Sequence, residues 1–85
     1  MLTPDTLKTY IAAGLSCTVL EVTGDGQHFE ALIVAEAFDG LRPVQRHQSV
    51  YAVLGDRMRA EIHALSMKTL TPAEWAESPH FSSKP

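Results

Sequence analysis

Four histidines, His28, His47, His63 and His80, stand in a chain of 85 residues that holds one cysteine, Cys17. Imidazole serves as a metal ligand, a proton carrier or a pH-sensitive charge. His28 follows a turn at Gly24-Asp25-Gly26, and His63 stands near the start of the last apolar segment. Parallel, neighbouring strands at these two places would set both imidazoles at one end of a sheet, facing one opening. Two nitrogens fall short of the three or four protein ligands that zinc takes. They suffice where a partner brings the remainder. Residue types alone favour the plainer reading, histidines that are simply at the surface or capped. His47 falls on a helical apolar stripe, where a hydrogen-bonded, partly enclosed ring is expected. Cys17 sits in a predicted strand as a buried, inert thiol, with no second cysteine to resolve a thiol reductase cycle. Arg42 and Arg46, one turn apart, and Lys68 could line a small nucleic-acid-facing patch, although a solvated face is the default for such cations.

The elements that must position these groups follow from local chemistry. Thr3 caps a first helix with Pro4 at its first position, Leu7, Ile11 and Leu15 on one face, and Gly14 at its end. Cys17–Val22 is β-branched and apolar, a strand. Asp25-Gly26 marks a hairpin, since Gly26 takes positive φ freely. Residues 29–38 make a second strand, whose run Ala31-Leu32-Ile33-Val34-Ala35 suits a central position. Pro43 opens a helix with Val44, His47, Val50, Tyr51 and Leu54 as its stripe. Asp56 caps a short helix over 57–60. Ile62–Thr69 is the third strand. Thr71, Pro72 and Glu74 open a last short helix, with Glu74 at the capping-box position. The order predicts an α+β domain, α-β-β-α-α-β, with helices on one face of a three-stranded mixed sheet. A right-handed crossover sets the third strand parallel to the second. The domain spans 1–77, and 78–85 is expected to be a flexible polar tail.

Composition narrows the function further. Lys and Arg total 7 against 10 Asp and Glu, a formal net charge of -3, so no global attraction draws the chain to a phosphate polymer. No apolar run is long enough to span a membrane. A lone cysteine and no apolar leader segment suit a cytoplasmic protein. No P-loop, HExxH or GxSxG pattern appears, so no enzyme is expected.

Three stretches resemble the BolA family. They are Phe38-Asp39-Gly40, Arg46-His47-Gln48-Ser49-Val50-Tyr51, and the long run from Ile62 to Trp75. Gly24-Asp25-Gly26-Gln27-His28-Phe29 looks like the hairpin of the members that carry a histidine there. The resemblance covers roughly positions 5 to 77. It implies a fold similar to the type II KH fold. It also implies a monothiol glutaredoxin as partner and a bridging [2Fe–2S] cluster in iron–sulfur assembly or iron regulation. The glutaredoxin cysteine and glutathione would supply two thiolates. His63, opening the last strand, and His28, in the hairpin, match the positions of the other two ligands. Neutral imidazoles beside thiolates raise a cluster's potential. The family also includes proteins described as DNA-binding transcriptional regulators, which makes weak DNA binding the alternative. Type II KH folds clamp a strand with a GXXG loop, and this chain has none. Self-association into a homodimer is left open.

Overall fold

A computed structural model describes residues 2–77; the predicted tail at 78–85, with His80, lies outside them. The chain runs α1 (Pro4–Gly14), β1 (Val19–Gly24), β2 (His28–Val34), a 3-10 turn (Glu36–Phe38), α2 (Pro43–Leu54), α3 (Arg57–Ala60), β3 (Ala64–Leu70) and α4 (Pro72–Glu77). The strands form one sheet in the order β1-β2-β3. β1 pairs antiparallel to β2, and β3 parallel to β2. The molecule is an α+β domain with a mixed sheet, as its sequence predicts.

Alternation along β2 sorts its two faces. Phe29, Ala31 and Ile33 are buried, while His28 and Glu30 are exposed. The buried set meets Leu7 and Ile11 of α1, Val50 and Leu54 of α2, and Phe38 and Ile62 from the connections. The other face carries Glu21, Thr23, Ser66 and Lys68, all exposed. The Cα envelope, 35 × 31 × 19 Å, is thin in one direction, as one sheet with one helical layer requires.

The ends of α1 are built as expected at one side and otherwise at the other. The Thr3 hydroxyl accepts from the Thr6 amide at 3.2 Å, which caps the helix. Gly14 closes it for a packing reason rather than a left-handed turn. A Cβ there would lie 2.7 Å from Val53 Cγ1, so the glycine lets α1 approach α2.

The strand limits differ from the predicted ones because pairing sets them. β1 begins at Val19, opposite Val34, and runs on to Gly24, opposite Phe29. β2 stops at Val34. The Ala35 amide still donates to Leu70 O, and there β3 ends. The chain then turns through Glu36–Phe38 and drops the Phe38 ring into the core. Ile62 is not in β3: its amide returns to Arg57 O, and its side chain is buried. Asp56 makes no side-chain cap to α3.

The predicted stripe of α2 is rotated. Arg46, Val50 and Leu54 face inward, His47 is half-buried, and Val44 and Tyr51 are 58% and 40% exposed. The cause is Arg46. Its guanidinium donates to Leu41 O (2.9 Å), Thr69 O (3.1 Å) and both Glu74 carboxylate oxygens (2.7 and 3.1 Å). It also lies 5.9 Å from the Phe38 ring centroid. Glu74 accepts the Thr71 amide, and Thr71 Oγ1 accepts the Glu74 amide, which completes the predicted capping box. One carboxylate thus caps α4 and anchors α2.

The Arg46 guanidinium, with help from the Thr71 amide, holds the Glu74 carboxyl at about 2, below its ordinary 4.5. A depressed carboxyl stabilises the fold fully above its unfolded value, and that contribution is lost as pH falls from about 4.5 through about 2. Glu74→Gln is expected to lower the urea midpoint at pH 7. Its deficit against the parent should shrink across that acid window. Urea titrations of both proteins at pH 7, 4 and 2 check this; a constant gap would contradict it.

Candidate functional site

The parallel pairing brings the two sequence-predicted histidines to one end of the sheet. His28 begins β2 and is in register with Ala64, and His63 is the residue before Ala64. With strands about 4.8 Å apart and about 3.3 Å per residue, their backbones lie roughly 6 Å apart. Both side chains are exposed.

The hairpin fixes His28 through its backbone. The Asp25 carboxylate accepts the Gln27 and His28 amides, both at 2.9 Å. The Asp25 amide donates to His28 O at 3.2 Å. Those two N–H donors, His28 first, lower the Asp25 carboxyl below its usual value. Gly26 turns the tip at φ 96°. Gly24 has no room for a side chain: a Cβ would sit 2.5 Å from His28 O and 2.6 Å from Phe29 Cδ1.

His63 is held from another side. It follows the buried Ile62 in the short connection from α3 to β3. A concavity of about 500 Å³ opens beside it, walled by Thr6 and Tyr10 of α1, Gly26 and Gln27 of the hairpin, and Glu61. His28 is not in that wall. It pairs with Ala64, and alternation with the buried Phe29 sets it on the uncovered sheet face. The histidines therefore share an edge but flank the hairpin end from two sides, where a single opening was expected.

The donor set can be stated plainly. Among the described residues no group of three or more His, Cys, Asp or Glu side chains is placed to hold a metal ion. Two accessible imidazole nitrogens suit half of a [2Fe–2S] site, whose irons accept histidine in place of cysteine. The residues fit such a cluster only as a contributor to a shared site. Cys17 adds nothing to this edge. It precedes Val19, which pairs with Val34 at the far end of β2 from His28. The thiol contacts Leu15 O at 3.4 Å, and burial raises its pKa, both marks of an unreactive cysteine.

The proposed cationic patch loses a member. Arg46 is buried and spent on Glu74 and two carbonyls, so it does not face solvent. Arg42 and Lys68 are exposed. Lys68 borders a shallow concavity of about 410 Å³ on the uncovered sheet face, which it shares with Glu21 and Glu30.

Sequence reasoning missed Tyr10 and Glu61. The Tyr10 hydroxyl donates to Glu61 Oε1 at 3.0 Å across 51 positions, a contact with no local signature. It also missed the second role of Glu74; the capping-box pattern signals only the first.

The chain is a small α+β domain with two exposed histidines at one end of a mixed sheet. The BolA-like protein family model matches residues 6–74, and the chain belongs to that family. Bovine BolA-like protein 1 is 39% identical, covering 93% of this chain and 66% of its own length, so the chain spans about two thirds of that relative. The acid stress protein IbaG of Escherichia coli K12 is 41% identical, covering 82% of this chain and 84% of its own. A protein called DNA-binding transcriptional regulator BolA, from Haemophilus influenzae, is 42% identical over 61% of this chain and 50% of its own length. The structure of a BolA homologue from Coxiella burnetii superposes with a TM-score of 0.78 at 43% identity, covering 89% of this chain and 99% of that one. No helix among the described residues is long and apolar enough to cross a membrane.

Gly24→Ala should force the hairpin apart at His28. A cost of about 1–3 kcal/mol is expected for overfilling so tight a contact. Urea denaturation and the backbone amide resonances of Asp25 to Phe29 report it; an unmoved midpoint with unmoved resonances would sink the account.

Proposed function

We propose that this protein is a partner of a monothiol glutaredoxin and co-ligates a bridging [2Fe–2S] cluster, in iron–sulfur assembly or iron regulation. His63 and His28 are the protein's ligands; the glutaredoxin cysteine and glutathione provide the others. The observation that carries the reading is the register of His28 with Ala64, which supports two exposed imidazoles at one edge, where the described residues form no group of three or more ligands that could hold a metal by themselves. His63 is the principal ligand, since it borders a concavity from which a partner's group can approach. His28 is the secondary one, on the opposite side of the hairpin end. The cluster, when bound, supplies electron-transfer chemistry and is itself a transferable cargo. The protein's own contribution is to present two imidazoles at one sheet edge, with Asp25 fixing the backbone of one of them. The chain's place in the cell is proposed to be cytoplasmic.

Anaerobic reconstitution with a monothiol glutaredoxin, glutathione and iron tests the reading. The parent pair should give a heterodimeric complex, while the chain alone binds little or no cluster. Even outer partners of a metal ligand are worth about 10- to 100-fold in affinity, so His63→Ala should shorten the complex's lifetime by about tenfold or more. His28→Ala should weaken it less. Visible circular dichroism and Mössbauer spectra separate the variants; a His63→Ala complex with the parent's spectrum and lifetime would remove the central assignment.

The DNA-binding alternative draws support from the name of the Haemophilus relative. The local charges oppose it: Arg46 is enclosed, and Lys68 shares its concavity with two glutamates. The five exposed cations among the described residues, Lys8, Arg42, Arg57, Arg59 and Lys68, could displace few counterions. At about 0.9 per phosphate contact, the log–log salt slope should be no steeper than about -4.5. Sequence-specific binding at nanomolar concentration and physiological salt, lost in Arg42→Ala, would favour the regulator instead.

A further inference from the structure

The connection that carries His63 is held by unusually little. α3 is four residues long and none of them is buried. So short a helix has no stability of its own. The Glu61 and Ile62 amides both donate to Arg57 O, so two hydrogen bonds tie α3 and the connection into one piece. Ile62 anchors that piece in the core, with Met58 partly packed beside it. One further residue grips it from outside. Tyr10 lies between Leu7 and Ile11, the two fully enclosed residues of α1. The Arg57 guanidinium stacks on the Tyr10 ring, 4.1 Å from its centroid. The Tyr10 hydroxyl holds Glu61. The ring therefore grips the start of α3 and the residue just beyond its end. His63 is two positions past Glu61, and Tyr10, Glu61 and His63 wall the same concavity.

We infer that Tyr10 is a positioning residue for His63, acting through Arg57 and Glu61 to clasp the α3–β3 connection onto α1. The inference rests on the proposed role of His63 as a ligand. A ligand on a loose segment must be ordered each time it binds, and that ordering subtracts from the lifetime of the complex. The clasp removes part of this cost in advance. It leaves the imidazole itself accessible, because both contacts lie on neighbouring residues.

The test separates the clasp from general stability. Tyr10→Phe keeps the ring for Arg57 and removes only the hydroxyl. Glu61→Ala removes the acceptor, and Glu61→Gln retains an oxygen that can accept. One hydrogen bond of ordinary net strength corresponds to about a two- to tenfold change in an opening equilibrium. Tyr10→Phe and Glu61→Ala should each speed amide hydrogen exchange at Ile62 to Ala64 by about that factor. Exchange in β2 should stay at the parent rate, the double variant should be no worse than either single one, and Glu61→Gln should restore protection. In the glutaredoxin complex the same two variants should shorten cluster lifetime with the spectrum unchanged. Exchange that stays at the parent rate at Ile62 to Ala64, or rises equally throughout the chain, overturns the clasp. Faster local exchange with a parent lifetime overturns the positioning role, provided that His63→Ala shortens that lifetime. If His63→Ala does not, the ligand reading has failed instead, and with it the link from the clasp to the cluster.

Discussion

The histidine edge depends on one pairing, the parallel alignment of β2 and β3 with His28 opposite Ala64. An antiparallel β3 would carry its first residue to the other end of β2, six positions away. That is about 20 Å at strand rise, and the two imidazoles would then stand at opposite ends of the sheet. Parallel pairing in turn requires a crossover that leaves the end of β2 and returns to the start of β3. The 3-10 turn, α2 and α3 are that crossover. The segment with least apparent chemistry is thus what brings the donors together.

The crossover is fixed to the sheet by a charge as well as by apolar packing. Arg46 reaches Thr69 O on β3, Leu41 O before α2 and Glu74 on α4. Enclosing a guanidinium is costly unless its donors are satisfied. Here the carbonyls and a two-oxygen carboxylate contact satisfy it, and the geometry admits only one rotation of α2. That rotation leaves Val44 and Tyr51 in solvent. A stripe drawn from apolar residues alone misses it, because the periodicity rule has no place for an arginine that faces inward.

Legibility in the sequence followed the range of the interactions. The Thr3 cap, the Asp25-Gly26 turn and the Thr71–Glu74 box are contacts within a few residues, and each stands where local chemistry puts it. The order of elements and the parallel third strand were legible for the same reason, with crossover handedness supplying the one long-range rule. Strand ends were not. Val34 ends β2 because its partners run out, which no property of residues 35–38 announces. At the site, the neighbouring placement of His28 and His63 followed from topology. The two sides they take did not, because they depend on Ile62 being drawn into the core and on the register of Phe29. Tyr10 and Glu61 lie 51 positions apart and carry no motif.

The division of the donors between two sides of the hairpin bears on what the edge can do. A site that one chain could close by itself would need its ligands to converge, and a resident ion would then hold them. Here His28 belongs to the uncovered sheet face and His63 to the concavity against α1. A group that engages both must therefore sit at the end of the sheet, between its two faces. Under the proposed function, a second protein that carries thiolates would bring it there and complete its ligand set. Each imidazole by itself is a weak ligand, so the edge would depend on those added donors. Exposure would be a defect in a closed metal site; under the proposed function it is what would allow a cluster to be met, shared and released.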